Sequence, residues 1–114
     1  MNNFAETRAV YLAKPLPKRL GALAVNLAHI SDCARQETPL DELMLESMYF
    51  IEWTAAELEP EVAYELVEMQ LMLSLWRKIR AEGQGIPSQR TLLYLQAPKW
   101  SAQVLDYSGL LENA

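Results

Sequence analysis

The sequence predicts an all-α fold, a small antiparallel bundle of four to five helices. Apolar residues recur at three- and four-residue spacing in several long segments, and no segment shows sustained alternation of apolar and polar residues. Prolines and glycines divide these segments into helices joined by short loops, which favours antiparallel packing of neighbours. A chain of 114 residues, 51% of them hydrophobic, suits a single helical domain over residues 1–114.

The first long helix is predicted at about residues 17–35. Residues 1–14 could form either a short helix or a loose arm, because Pro15 and Pro17 separate them from this long helix. Small residues on one flank of the long helix should allow a neighbouring helix to approach closely; they are Gly21, Ala24 and Ala28. The apolar stripe that predicts its core face comprises Leu20, Leu23, Leu27, Ile30 and Ala34.

The second helix has the clearest start signal. Thr38 is a good N-cap and Pro39 fits the first helical position, so we expect a helix over residues 38–58. Pro60 then begins a third helix to about residue 82, where Gly83 and Gly85 end it. Ser88 is expected to cap a short helix through Gln96, and Pro98 to begin a separate last helix to about Leu111.

Two of these helices are apolar on two sides. The second helix has one apolar face through Met44 and Ile51, and an opposite face on which Tyr49 and Trp53 lie among glutamates. Such a helix must bury both faces or expose one, so we expect a second interface, most simply a two-fold homodimer. The alternative is that the N-terminal arm and the C-terminal helices cover the second faces. The third helix carries its second face on Tyr64, Val67, Leu71 and Leu75.

Charge is strongly segregated along this acidic chain, whose net charge is −5. Residues 37–68 hold ten acidic residues and no Lys or Arg, whereas basic residues outnumber acidic ones on both sides of this segment. Either the basic segments neutralise the acidic helix within the fold, or the acidic helix docks a basic partner.

Few residues are suited to catalysis or metal binding. The chain has one His, His29, and one Cys, Cys33, so an intramolecular disulfide is impossible and a zinc site would need further carboxylate ligands. Gly83-Gln84-Gly85 is a lone GxG after a helix, and no GxSxG elbow is present. We therefore expect no enzymatic activity, no metal and no cofactor. No signal segment or membrane span is apparent, which predicts a cytoplasmic protein without membrane contact.

These observations predict a small, non-catalytic helical interaction or regulatory module, expected to be a homodimer, that docks a protein partner through the second helix. Aromatic anchors would supply binding energy and rim charges would steer a basic partner. One alternative is a DNA-binding regulator with a C-terminal helix-turn-helix, although the net negative charge makes nucleic acid an unfavoured partner. Another is a small-molecule-binding bundle. The predicted partner-binding residues are Glu42, Leu45, Glu46, Tyr49, Trp53 and Glu57.

Overall fold

The computed structural model describes residues 4–32, 37–81 and 87–109, and within these ranges it contains five α-helices and no strand. A short 3-10 turn, Ala55–Glu57, follows the third helix. The predicted all-α fold is therefore confirmed. The helices are α1 (Phe4–Leu12), α2 (Leu16–Asp32), α3 (Glu37–Thr54), α4 (Pro60–Ala81) and α5 (Pro87–Ser108).

Helices α2 to α5 form the antiparallel bundle, and side-chain hydrogen bonds show the direction of the α3–α4 pair and of the α2–α5 pair. Between α3 and α4, Arg77 contacts Asp41 near one end, and Gln70 Nε2 donates to the Met48 carbonyl further along, at 2.9 Å. Between α2 and α5, Ser101 Oγ donates to the Ala24 carbonyl. Ser31 Oγ, near the C-terminal end of α2, donates to the Tyr94 carbonyl in the first half of α5. Helix α2 thus lies between α3 and α5.

The most extensive contact between helices is that of α2 with α5, and small residues lie at this contact. Ala24 on α2 and Ala97 on α5 are buried, and Ser101 Oγ donates to the Ala24 carbonyl at 2.7 Å. A side-chain hydroxyl reaches a neighbouring backbone only when the two helices are close. Of the small-residue flank predicted on α2, Ala24 therefore lies at a close contact with a neighbouring helix.

The C-terminal region differs from the prediction, because one continuous helix replaces the two short ones. Pro98 lies inside α5 and is exposed. A proline in a helix leaves the carbonyl four residues earlier without its usual N–H donor, here that of Tyr94. Ser31 Oγ on α2 donates to that carbonyl at 3.2 Å. The neighbouring helix thus satisfies the group that Pro98 leaves unpaired, and the predicted turn of a helix-turn-helix is absent.

Residues 1–14 include a short helix, α1, which a buried tyrosine attaches to α3. The Tyr11 hydroxyl lies 2.7 Å from Thr54 Oγ1 and also within hydrogen-bonding distance of the Arg19 and Phe50 carbonyls. Its ring stacks on Phe50 with a centroid separation of 4.1 Å. Because Tyr11 and Thr54 are both buried, this polar cluster is enclosed by the fold.

Several helix ends differ from the predicted boundaries. Helix α3 ends at Thr54, before the expected end at residue 58, because the chain tightens into the 3-10 turn and Leu58 then becomes extended. Helix α5 ends at Ser108, and Gly109 adopts a φ of 74°, a conformation that glycine tolerates without steric cost. The predicted ends of the first, third and last helices, at residue 35, residue 82 and Leu111, lie outside the described residues, as do Gly83 and Gly85.

The core forms along the stripes that helical spacing predicts. Of the predicted stripe on α2, the four described members are buried, as is Val104 on α5. Helix α4 buries one side and presents the other to solvent. Among the described helices, none combines the length and the apolar character that crossing a bilayer requires. The buried core residues of α2, α3 and α4 are Leu20, Leu23, Ala24, Leu27, Ile30, Leu40, Met44, Phe50, Ile51, Leu66, Met69 and Leu73.

Candidate functional site

The six predicted partner-binding residues lie on the outer side of α3 and the turn after it. We call this surface the acidic aromatic face; it comprises Glu42, Leu45, Glu46, Tyr49, Trp53 and Glu57. Met44 and Ile51, on the other side of α3, are fully buried. Glu42 and Glu57 are exposed, and the other four are partly buried. The predicted orientation of the helix is therefore consistent with the structure, but much of this face is already in contact with the rest of the chain.

Trp53 contributes to the attachment of α1. Its ring lies 5.8 Å from that of Tyr11 and 6.1 Å from that of Phe50, and it packs against the core. On its other side Tyr49 stacks on it, with a centroid separation of 5.5 Å. The two aromatic side chains thus form one unit, of which Trp53 is the inner, structural member.

Glu57 is paired with a cation from the N-terminal half. Its carboxylate accepts two hydrogen bonds from the guanidinium of Arg19, at 2.5 and 3.0 Å. Arg19 is buried, and its Nε donates to the Lys14 carbonyl at 3.0 Å. The hydrogen bonds from Arg19 lower the pKa of Glu57 below its ordinary value. Glu57 therefore serves as the counter-ion of a buried arginine.

Two further acids of the acidic segment have partners within the fold. Asn26 Nδ2 on α2 donates to Glu46 Oε1 at 2.9 Å, and Arg77 on α4 pairs with Asp41 through bonds of 2.9 and 3.2 Å. The interpretation that basic segments neutralise the acidic helix thus applies to Asp41 and Glu57. Glu42 and Glu52 are exposed on the outer side of α3.

Among the described residues, the longest row of exposed apolar side chains on one helix lies on α4. Tyr64 is 67% exposed, Val67 45%, Leu71 69% and Leu75 48%, and we call these four residues the α4 stripe. Their spacing of three, four and four residues places them along one side of the helix over about 16 Å. They are the second face that the sequence predicts for this helix, and within the described chain nothing covers that face.

Charges flank the α4 stripe in an asymmetric order. Glu61 and Glu68 are exposed near its N-terminal half, whereas Lys78 is exposed just beyond its C-terminal end. A hydrogen bond with the Glu68 carboxylate raises the pKa of Tyr64 above its ordinary value. The surface therefore has an apolar centre, an acidic end and a basic end.

Across the bundle, α4 meets α5 through long side chains. Trp76 stacks on Trp100 with a centroid separation of 5.5 Å, and Gln103 Nε2 donates to Glu65 Oε2 at 2.8 Å. These contacts use the side of α4 that carries Glu65 and Trp76, not the side of the α4 stripe. Exposed leucines also occur on α5, for example Leu95, which is 55% exposed.

The described residues offer little for metal binding. Among them, no group of three or more His, Cys, Asp or Glu side chains is arranged to hold a metal ion. His29 is exposed on α2. Cys33, its sequence partner at four-residue spacing, lies outside the described residues.

The fold and these surfaces define a small antiparallel helical bundle in which the described part of α4 has an exposed apolar face. Compared with known protein families, with curated proteins and with solved structures, the chain has no significant match. Its function must therefore be inferred from the surfaces of the molecule itself.

Proposed function

We propose that this protein is a non-catalytic interaction module that acts by binding another protein chain, and that the α4 stripe is its principal contact surface. One observation carries the proposal: four large apolar side chains are exposed in a continuous row on a helix whose opposite side is well packed. Removing such a row from water on binding is favourable in proportion to the apolar area covered.

The composition of the stripe supports the same function. A tyrosine and aliphatic side chains at spacing of three and four residues are the anchors that a partner helix or groove contacts in helix-mediated recognition. Exposed charges at both ends would form the polar rim that surrounds such anchors. Isolated exposed leucines are ordinary, but a row of large apolar residues on one helix is a typical interaction surface.

Site-specific photo-cross-linking tests this function in the cells that naturally produce the chain. A photoreactive phenylalanine analogue replaces Leu71 at the centre of the stripe, and a matched variant carries it at exposed Ala102 on α5. We expect protein adducts from position 71 and few from position 102. Equal or absent adducts at the two positions, in variants that keep wild-type helicity, would contradict the proposal.

The acidic aromatic face is a second candidate surface, and we propose a basic protein as its partner. The Tyr49–Trp53 stack beside exposed Glu42 supports this proposal. The same photoreactive residue at Leu45 should yield adducts with a basic protein that diminish with salt, because the contact would depend on charge. Adducts that are insensitive to salt, or none, would argue against this face.

Binding to DNA stays an alternative proposal with less support. The continuous α5 removes the turn on which it was based, but exposed Lys78 and Lys99 are cations that could contact phosphate. A gel-shift assay with mixed duplex DNA at low salt tests it, and no shift at micromolar protein would eliminate it.

A further inference from the structure

We propose that the occupant of the α4 stripe is the α4 stripe of a second copy of this chain, paired antiparallel about a two-fold axis. This inference rests on the proposed function and names the partner. A two-fold interface brings the same surface from both copies together, so that surface must complement itself. The ends of the stripe, its flanking charges and its area are compatible with such a pairing.

The two ends of the stripe can be matched by antiparallel pairing, although its spacing of three, four and four residues is not itself symmetric: Val67 falls at the level of partly exposed Met72, and Leu71 at the level of Glu68. Tyr64 and Leu75 mark the two ends of the stripe, and its midpoint falls between residues 69 and 70. Antiparallel pairing about this midpoint sets Tyr64 of one copy at the level of Leu75 of the other. Leu71 then inserts between Val67 and Leu71 of the second copy, as knobs pack into holes between two helices.

The charges select the antiparallel direction. With the same midpoint, exposed Glu61 of one copy lies at the level of exposed Lys78 of the other, and the symmetry repeats this pair. Parallel pairing would instead place Glu61 beside Glu61, Glu68 beside Glu68 and Lys78 beside Lys78. Antiparallel pairing also opposes the two helix dipoles, which is the favourable arrangement.

The area is sufficient for a weak, specific dimer. The exposed fractions of the four residues amount to on the order of 450 Å² per copy, and flanking side chains bring the total over both copies to roughly 1,000 Å², the lower edge of specific interfaces. We therefore expect a dimer that dissociates in the micromolar range.

Sedimentation equilibrium on the purified full chain, over about 1–500 µM, tests the inference against that affinity range. Leu71→Glu should weaken dimerisation at least about 100-fold, because it buries two unpaired charges at the centre of the interface. The matched variant Leu95→Glu makes the same change on an exposed leucine of α5 and should leave the dissociation constant unchanged. A wild-type chain that is monomeric over the whole range, or equal effects of the two variants, would overturn the proposal.

Charge reversal tests the direction of pairing. Glu61→Lys or Lys78→Glu alone should weaken the dimer about 5- to 30-fold, because each creates two like-charge pairs. The double variant Glu61→Lys/Lys78→Glu restores both opposite-charge pairs and should recover the wild-type dissociation constant. Loss without recovery in the double variant, or no loss in the single ones, would show that the antiparallel pairing is wrong.

The same experiments distinguish failure of this inference from failure of the proposed function. A monomeric wild-type chain whose position 71 still captures a different protein in cells would refute the second copy as occupant and leave the interaction module standing. If the chain does not self-associate and position 71 also yields no adducts, both the second copy as occupant and the interaction module are refuted.

Discussion

At the scale of the residue, the most informative side chain is Tyr11. Its hydroxyl is enclosed with Thr54 and with the carbonyls of Arg19 and Phe50, and its ring stacks on Phe50. One side chain of α1 therefore joins α2 and α3 through both polar and apolar contacts. Buried polar groups of this kind stabilise a fold only while every member has a partner.

Tyr11→Phe removes the hydroxyl and keeps the ring. Because buried Thr54 then loses a partner, we expect the free energy of unfolding to fall by about 1–3 kcal/mol. Chemical denaturation measures this change, and Tyr94→Phe on the exposed surface of α5 is the matched control, with an expected effect below about 0.5 kcal/mol. A loss as small as the control would mean that the hydroxyl cluster contributes nothing to stability.

Burial raises the pKa of Tyr11 from 10.0 to about 12. The stability of the fold should therefore depend on pH in the alkaline range. Between these two values the unfolded chain binds fewer protons than the folded one, so the free energy of unfolding falls as pH rises. The full effect at high pH is about 2–3 kcal/mol. Denaturation from about pH 9 to 12 should therefore show wild type losing its advantage over Tyr11→Phe; a constant difference would contradict the role of Tyr11.

At the scale of the element, α5 depends on α2 for one of its backbone hydrogen-bond partners. Pro98 cannot donate to the Tyr94 carbonyl, and Ser31 of α2 donates in its place. This makes the continuity of α5 a tertiary property. A helical pattern interrupted by proline predicts a break from local sequence alone, which is why two helices were expected.

A double-mutant cycle tests whether the Ser31 hydroxyl replaces the missing N–H of residue 98 as the donor to the Tyr94 carbonyl. Ser31→Ala should cost about 1 kcal/mol in the wild-type chain, because the Tyr94 carbonyl loses its donor. In a Pro98→Ala background the new N–H of residue 98 supplies the bond, so the same substitution should cost close to nothing. The expected coupling is about 1 kcal/mol by chemical denaturation; additive effects would refute the link.

The contact between α2 and α5 should be intolerant of larger side chains. Ala97 is fully buried at this contact, so Ala97→Leu should destabilise the fold by about 1–3 kcal/mol through overpacking. Ala102→Leu, further along α5 and exposed, is the matched control and should change stability by less than about 0.5 kcal/mol. Thermal unfolding of the two variants compares them directly, and equal melting temperatures would disprove close packing at Ala97.

The local sequence predicts which face of a helix is apolar, because that depends on spacing along one helix. It does not predict contacts that depend on the position of another helix. The core stripe through Leu23 and Leu27 and the exposed second face of α4 follow from helical periodicity. The partners of Glu57 and of the Tyr94 carbonyl could not be predicted, because Arg19 and Ser31 are 38 and 63 residues away. For the same reason the sequence did not show that α4 would leave its second face more open than α3.

At the scale of the whole molecule, α2 is the central helix. It packs against α3 on one side and α5 on the other, whereas α1 is attached chiefly through Tyr11. Backbone amides open with free energies that range from near zero at loosely attached segments to the global value in the core. The helices should therefore differ in stability against local opening.

Amide hydrogen exchange can measure this difference. We expect the slowest exchange in α2, and the fastest among the helices in α1, because few buried side chains hold α1. In Tyr11→Phe, exchange should accelerate in α1 before it does so in α2. Equal protection of α1 and α2 in the wild-type chain would contradict this order.

The antiparallel pairing of α2 with α5 also determines when the fold can be completed during synthesis. Ala24 receives its hydrogen bond from Ser101, 77 residues later in the chain, although helical bundles otherwise fold through contacts close in sequence. The side of α2 that carries Ala24 therefore has no native partner until α5 has left the ribosome. Until then the nascent chain exposes a row of small and apolar side chains, and this is the interval in which a chaperone would be of most use to it.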